Sequence, residues 1–304
     1  MAANEREYMK ISIAGELGSG KSAVSKVLAA KRGMHYFSTG AIQRDIASKL
    51  GVSTLELNKI SENDKKIDNQ IDSFLIDLNN SENSIVIDSR MAWHFVPSSF
   101  KVFLHVDINV AAERVIKDKG RTSESYHDIV SAKSDLESRK SSENKRFFDL
   151  YNVDCSNFDN YDLVVDTSLI TPEDVVDTIL STHERWTRNE YYSKILLSPK
   201  ILYPTHGTRQ LDSDVAKDIG YDEKLPVSVI KDENLFYIYD GHKRVSSAIF
   251  NDIKLINSKI SATDEDEILS GVSAHNYVKN ETSLSMIYDW ENFHNFHFHG
   301  YPAR

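Results

Sequence analysis

A single cysteine, Cys155, occurs in the 304 residues. No disulfide can form within such a chain, which fits a reducing compartment. Long apolar runs are missing as well: no window approaches the roughly 18 to 20 apolar residues that a membrane helix needs. The opening MAANEREYMK is polar and charged, with no apolar stretch of signal-peptide length. Together these absences predict a soluble, cytoplasmic protein that does not engage a membrane. An excess of positive charge is lacking too. The 36 Lys and Arg against 46 Asp and Glu leave a net charge of −10. That argues against a nucleic-acid partner, because neutralising backbone phosphates needs clustered cations. Proline (6) and glycine (12) are sparse, and there is neither a low-complexity segment nor an internal repeat.

What is present is an ordinary globular balance, 40% hydrophobic and 27% charged, in a chain long enough for two domains. The first part alternates strand-like and helix-like stretches. Met9–Ala14, His35–Phe37, Ile85–Asp88, Val102–Val106 and Leu163–Asp166 read as short strands buried on both faces. Helical patterns lie between them at Lys21–Ala30, Ala41–Lys49, Lys66–Leu78, Val110–Lys117 and Glu124–Asn144. Such alternation predicts a parallel sheet with crossover helices. Thr171, Pro172 and Asp174 form a helix start, with the helix running to about Trp186. RNEYYSKILLSPK then reads as a connector, so the predicted domains are 1–188 and 189–304. In the second, Val227–Ile230 and Phe236–Tyr239 flank the turn Asp232-Glu233-Asn234 as a hairpin, and Arg244–Phe250 is a short helix.

Three of the twelve glycines fall within GELGSGKS. Gly15-x-x-x-x-Gly20-Lys21-Ser22 completes the phosphate-loop pattern, with a strand before it and a helix after. The glycines let successive N–H groups point at one anion, and the helix adds its positive end. Gly15, Gly18, Ser19, Gly20, Lys21 and Ser22 are thus the expected triphosphate-binding residues. Lys21 sets a cation against the β and γ phosphates, and the Ser22 hydroxyl is the candidate Mg²⁺ ligand. Arginines elsewhere in the same part suit a second anion. Arg44 opens a helix after a short strand, and Asp88 and Arg90 close a buried strand, at the sheet edge where ligands bind. Arg139 and Arg146 stand seven residues apart, two helical turns on one face. Guanidinium forks suit phosphate oxygens and keep their charge at any working pH.

Through ISIAGELGSGKSAVSKVLA, YFSTGAIQRDIA, IVIDSRMAW and RKSSENKRFFDLYNVDCSNFDNYDLVVDTS, residues 9 to about 184 resemble the nucleoside monophosphate kinases, above all the archaeal-type cytidylate kinases. The resemblance implies ATP and Mg²⁺, with Arg44 and Arg90 as acceptor contacts, Arg139 and Arg146 as lid residues, and Asp88 near acceptor and metal. Gln43, Ser89, Lys140 and Phe147 depart from that family's pattern, mostly on the acceptor side.

A second strand-turn-helix, YIYDGHKRVSSAIF, presents Gly241, His242 and Lys243 at a helix start. Residues 195 to about 260 are similar to the ParB/sulfiredoxin superfamily, which includes nucleotide-binding partition proteins and a kinase of free serine. That similarity implies a nucleotide or phosphorylated ligand touching Asp240, Gly241, His242 and Arg244, assisted by Arg209. The superfamily's reductase cysteine has no counterpart, since Cys155 lies in the first part. Near the C-terminus, His294, His297 and His299 read as an aromatic tail rather than a metal site.

The combined expectation is an α/β protein: a three-layer P-loop kinase with a parallel sheet, joined to a smaller α+β ParB/sulfiredoxin-like domain. Its function would be phosphoryl transfer from ATP to a nucleoside monophosphate, with Lys21, Asp88, Arg139 and Arg146 catalytic. One alternative transfers to a hydroxyl on a modified nucleotide or small metabolite, with Asp88 as base. Another is a nucleotide-sensing regulator acting through the ParB-like domain.

Overall fold

The computed structural model describes residues 8–52, 56–57, 60, 66–118, 128–208, 222, 224–264 and 266–299. Buried apolar strands and amphipathic helices alternate through the first 190 residues. In order they are β1 (Lys10–Gly15), α1 (Lys21–Arg32), β2 (His35–Ser38), α2 (Thr39–Leu50), α3 (Lys66–Asn79) and β3 (Ile85–Asp88). There follow α4 (Ala92–Phe95), β4 (Phe100–His105), α5 (Ile108–Lys117), α6 (Ile129–Tyr151), β5 (Leu163–Asp166) and α7 (Pro172–Thr187). β2, β3, β1, β4 and β5 lie side by side, all parallel. The registers Ile13↔Asp88 and Gly15↔Leu104 bring the ends of β1, β3 and β4 to one edge.

Helices cover both faces. On one, Val24 and Leu28 of α1 and Val176 and Ile179 of α7 pack on Ile11, Ile13, Val102 and Val165. On the other, Ile71 and Leu75 of α3 and Trp93 of α4 pack on Ile85, Ile87 and Phe103. The start of α7 carries the expected capping box, Thr171 with Asp174, and Pro172. α6 differs from its expected span, whose start at Glu124 lies outside the described residues and whose end was Asn144. Asp128 caps its start, accepting from Ser131 N–H at 2.7 Å, and its last turns continue because Phe147 and Tyr151 stack and Tyr151 meets Phe95.

The expected boundary falls just after α7, and the sheet continues across it. The stretch read as a connector contains β6 (Ile195–Leu197), which pairs parallel with β5. Beyond it come β7 (Leu202–Tyr203), β8 (Val227–Asp232), β9 (Leu235–Asp240), α8 (His242–Phe250), β10 (Ile256–Thr263), the small pair β11 (Glu267–Leu269) and β12 (Val272–Ser273), α9 (Ala274–Glu281) and α10 (Leu284–His294). The full order is β2-β3-β1-β4-β5-β6-β10-β8-β9-β7. β10 serves two neighbours: Ile256 and Asn257 pair antiparallel with β6, and Ser258 onward pairs parallel with β8. One apolar cluster also crosses the boundary, joining Phe103, Phe158 and Tyr161 to Val227, Phe236 and Ile238. Among the described residues no helix is long and apolar enough to cross a membrane.

Candidate active site

The phosphate loop runs from the end of β1 into α1. Gly15 has φ of +147°, and a Cβ there would lie 2.4 Å from Leu104 O, so no side chain fits between β1 and β4. Gly20 caps α1 in the left-handed region, φ 81°. Lys21 Nζ donates to Gly15 O and Glu16 O, both at 2.8 Å, which bends the side chain back over the loop. Burial, reinforced by Arg90, pulls the Lys21 ammonium down to about 7 against the attraction of Asp88, Glu143 and Glu16.

Asp88, at the end of β3, faces the start of α1. Its Oδ2 accepts from Ser22 Oγ at 2.7 Å, Tyr36 OH at 3.2 Å and Ser38 Oγ at 3.4 Å. A hydroxyl beside a carboxylate is an oxygen set that suits Mg²⁺, which needs few protein ligands when it also holds phosphates. Among the described residues no cluster of three or more His, Cys, Asp or Glu forms an all-protein metal cage.

Arg90 lies two residues on. Its Nη1 is 2.6 Å from Glu143 Oε2 of α6, while Nη2 is buried without a hydrogen-bond partner among the described residues. With Ala14, Gly15, Glu16, Lys140 and Asn144, Arg90 walls a small pocket of about 20 Å³ that opens to solvent. Arg146 lies one turn beyond Glu143, close over the Phe147 ring and 4.0 Å from Asp68; its Nε and Nη1 are likewise buried donors without a hydrogen bond. Arg139 approaches Asp135 at 3.8 Å on its own helix. Arg44 is exposed on α2, near Gly40, and is not among the residues that wall the cavity. The structure thus joins Lys21, Ser22, Asp88 and Arg90 around the sheet edge, puts Arg139 and Arg146 on one helix beside it, and leaves Arg44 apart.

Cys155 is buried near Met91, and burial pushes its thiol up to about 11, so it packs rather than reacts. Sequence reasoning misses Glu16, Tyr36 and Glu143. Glu16 is a variable position of the loop pattern, and the other two carry no motif.

In the C-terminal part, Gly241 (φ 106°) turns β9 into α8. Asp240, Gly241, His242, Lys243 and Arg244 line an open cavity of about 740 Å³, together with Ser283 and Asp289. Arg244 folds back over Gly241, donating to Asp240 Oδ2 and to the carbonyls of Leu225 and Pro226. Burial, with His206 beside it, pulls His242 down to about 4, and its Nε2 accepts from Thr205 N–H. At neutral pH it is therefore an uncharged acceptor. Arg209 lies outside the described residues. His294 is packed, bonded to Ser246 Oγ and Trp290 O, while His297 is 86% exposed at the side chain.

A parallel sheet with a glycine-lined phosphate loop, a loop lysine and a Ser–carboxylate pair at one edge defines a P-loop phosphotransferase. The comparisons sharpen that class. Residues 10–169, more than half of the chain, match the cytidylate kinase-like family, and the chain belongs to it. A cytidylate kinase of Sulfolobus acidocaldarius is 35% identical over 180 residues, covering 58% of this chain and 95% of the relative. Another, of Thermoplasma volcanium, is 32% identical, covering 62% and 98%. An S-adenosylmethionine-dependent nucleotide dehydratase of Lacinutrix mariniflava is 33% identical over 188 residues, covering 61% of this chain and 37% of that protein. The protein is an ATP-dependent kinase of nucleoside monophosphate kinase type.

Proposed function

We propose that the chain transfers the γ-phosphoryl group of ATP to a nucleoside monophosphate, most fittingly a pyrimidine one, in a cytoplasmic setting. The observation that carries this reading is Arg90, whose buried Nη2 has no hydrogen-bond partner among the described residues and which shares a pocket wall with Gly15 and Glu16 of the phosphate loop; Arg146, farther along α6, carries two further buried donors of that kind. A buried guanidinium donor without a partner is costly unless an anion takes it up. A monophosphate acceptor brings such oxygens and is already ionised, so no general base is needed. Lys21 and the loop amides would hold the β and γ phosphates, Arg90 the acceptor phosphate, and Arg139 and Arg146 the charge that spreads over the transferring group. Arg44 would reach the acceptor when α2 closes. Ser22 and Asp88 would hold Mg²⁺, which supplies Lewis-acid neutralisation of the phosphate oxygens when bound. The cytidylate kinases among the relatives support the acceptor class, and so does the nucleotide enzyme whose chain includes a related stretch. A hydroxyl acceptor fits less well. The Asp88 oxygen that would serve as base accepts from three hydroxyls, an arrangement better suited to a metal partner.

The C-terminal part, 189–304, we read as a second, ParB/sulfiredoxin-like ligand domain. Its support is the left-handed Gly241 leading into α8 and the roomy open cavity beside it. Asp240, Gly241, His242 and Arg244, with Arg209, would contact a nucleotide or phosphorylated metabolite there, as regulator or second substrate.

Coupled ADP release, with ATP, Mg²⁺ and a panel of nucleoside monophosphates, tests the reading. The expected result is stimulation by CMP or dCMP, cut about 100-fold or more in Lys21→Ala and Arg90→Ala through loss of transition-state charge neutralisation. Turnover that no monophosphate stimulates contradicts it.

A further inference from the structure

Kinase chemistry as just described gives no role to one connected group of residues, Glu16, His105, Lys140 and Asn234. Glu16 is the second residue of the phosphate loop. Its Oε1 accepts from Lys140 Nζ at 2.7 Å. Its Oε2 accepts from Val106 N–H at 3.0 Å and lies 2.9 Å from His105 Nδ1, in ion-pair rather than hydrogen-bond geometry. Burial opposes charge on Glu16, but His105 and Lys140 outweigh it and hold the carboxyl far below its usual range. The backbone carbonyl of this same Glu16 accepts from Lys21 Nζ. Whatever fixes the Glu16 side chain therefore also fixes a carbonyl that aims the loop lysine.

Both side-chain partners of Glu16 are backed by the hairpin β8–β9 of the C-terminal part. Asn234, in its turn, accepts from Lys140 Nζ through Oδ1 at 2.6 Å. Phe236, fully buried, sets its ring edge-on to the His105 ring at 4.9 Å. The hairpin is itself anchored: Phe236 stacks with Phe158, the Lys231 ammonium lies 5.1 Å from the Phe158 ring, and Asp232 pairs with His275 at 3.0 Å. The Lys140 ammonium meets a loop glutamate on one side and a residue some ninety positions later on the other.

We propose that Asn234 is a positioning residue for phosphoryl transfer. It holds Lys140 on Glu16, so that the C-terminal hairpin buttresses the phosphate loop and fixes the direction of Lys21 before ATP arrives. Phe236 packs edge-on against His105, the other side-chain partner of Glu16. The proposal rests on the kinase reading. Its physical content is preorganisation: a loop whose backbone and lysine are already held in place has less to reorder when the triphosphate binds.

The test uses the full-length protein and steady-state kinetics in ATP with the best monophosphate acceptor. Asn234→Ala is expected to lower kcat/KM for ATP about tenfold, the worth of a hydrogen bond to a charged group. The KM for the acceptor and the unfolding midpoint should stay near wild type. Asn234→Asp, which keeps an accepting oxygen in place, is expected to recover activity to within about twofold. In a Lys140→Met background, Asn234→Ala should add nothing, because the two changes remove one interaction. Wild-type kinetics in Asn234→Ala would overturn the proposal. So would a loss that Asn234→Asp does not recover, or one that adds in full to Lys140→Met. If instead the wild-type protein phosphorylates no monophosphate, the kinase reading fails. An active wild type with an indifferent Asn234 sinks the buttress alone.

Discussion

Lys21 is a cation held where a cation is disfavoured. Enclosure in the loop and the neighbouring Arg90 bring its ammonium down to about 7, while an unfolded chain would hold it near the ordinary lysine value of about 10.5. Between those two values the unfolded state binds more protons, so this group makes stability rise with pH across the window from about 7 to about 10.5. Triphosphate binding acts the other way on the proton. Its negative charge favours the ammonium and raises the pKa again. ATP binding near pH 8 should therefore take up about one proton. Calorimetry in buffers of different ionisation enthalpy would show it, and Lys21→Met should abolish it; proton release by the wild type would contradict the assignment. Lys21 was legible in the sequence because the loop pattern fixes its role. Glu16 was not, because its two side-chain partners come from positions 105 and 140, which only the folded sheet edge brings together.

At the scale of elements, α6 shows how one helix divides its faces. Phe147 and Phe148 are neighbours in sequence, yet Phe147 is 8% exposed in the core and Phe148 is 56% exposed. Phe147→Ala should cost about 3 kcal/mol or more of stability, as emptying a buried aromatic site commonly does. Phe148→Ala should stay within about 0.5 kcal/mol. Denaturant titrations of the two variants would check the contrast, and equal costs would mean that the helix is turned otherwise. The parallel strands and the α7 cap were readable because each rests on local pattern: short β-branched runs, and Thr171, Pro172 and Asp174 at fixed spacing. β6 was not readable. Three residues, Ile195–Leu197, carry too little periodicity to mark a strand, and they become one only because β5 and β10 stand on either side.

Across the whole molecule, the same apolar cluster draws side chains from before and after residue 188, among them Phe103, Tyr161, Phe236 and Trp290. A core shared in this way should melt as a unit. A single thermal transition, coincident in far-UV and near-UV circular dichroism, is the expected outcome. Two separated transitions would mean that the shared cluster contributes little to cohesion. The divided texture of the sequence hid this continuity, because composition reports what a segment is made of and not which partner its strands find.

β6 also does for β5 what no side chain can. It occupies a row of amide and carbonyl groups that would otherwise stand open at the flank of a parallel sheet. A version of this protein trimmed after α7 would carry that raw flank into solution with its hydrogen-bonding groups unanswered. Pairing between two such trimmed copies is the expected consequence, and size-exclusion chromatography of the trimmed chain beside the full one would show it.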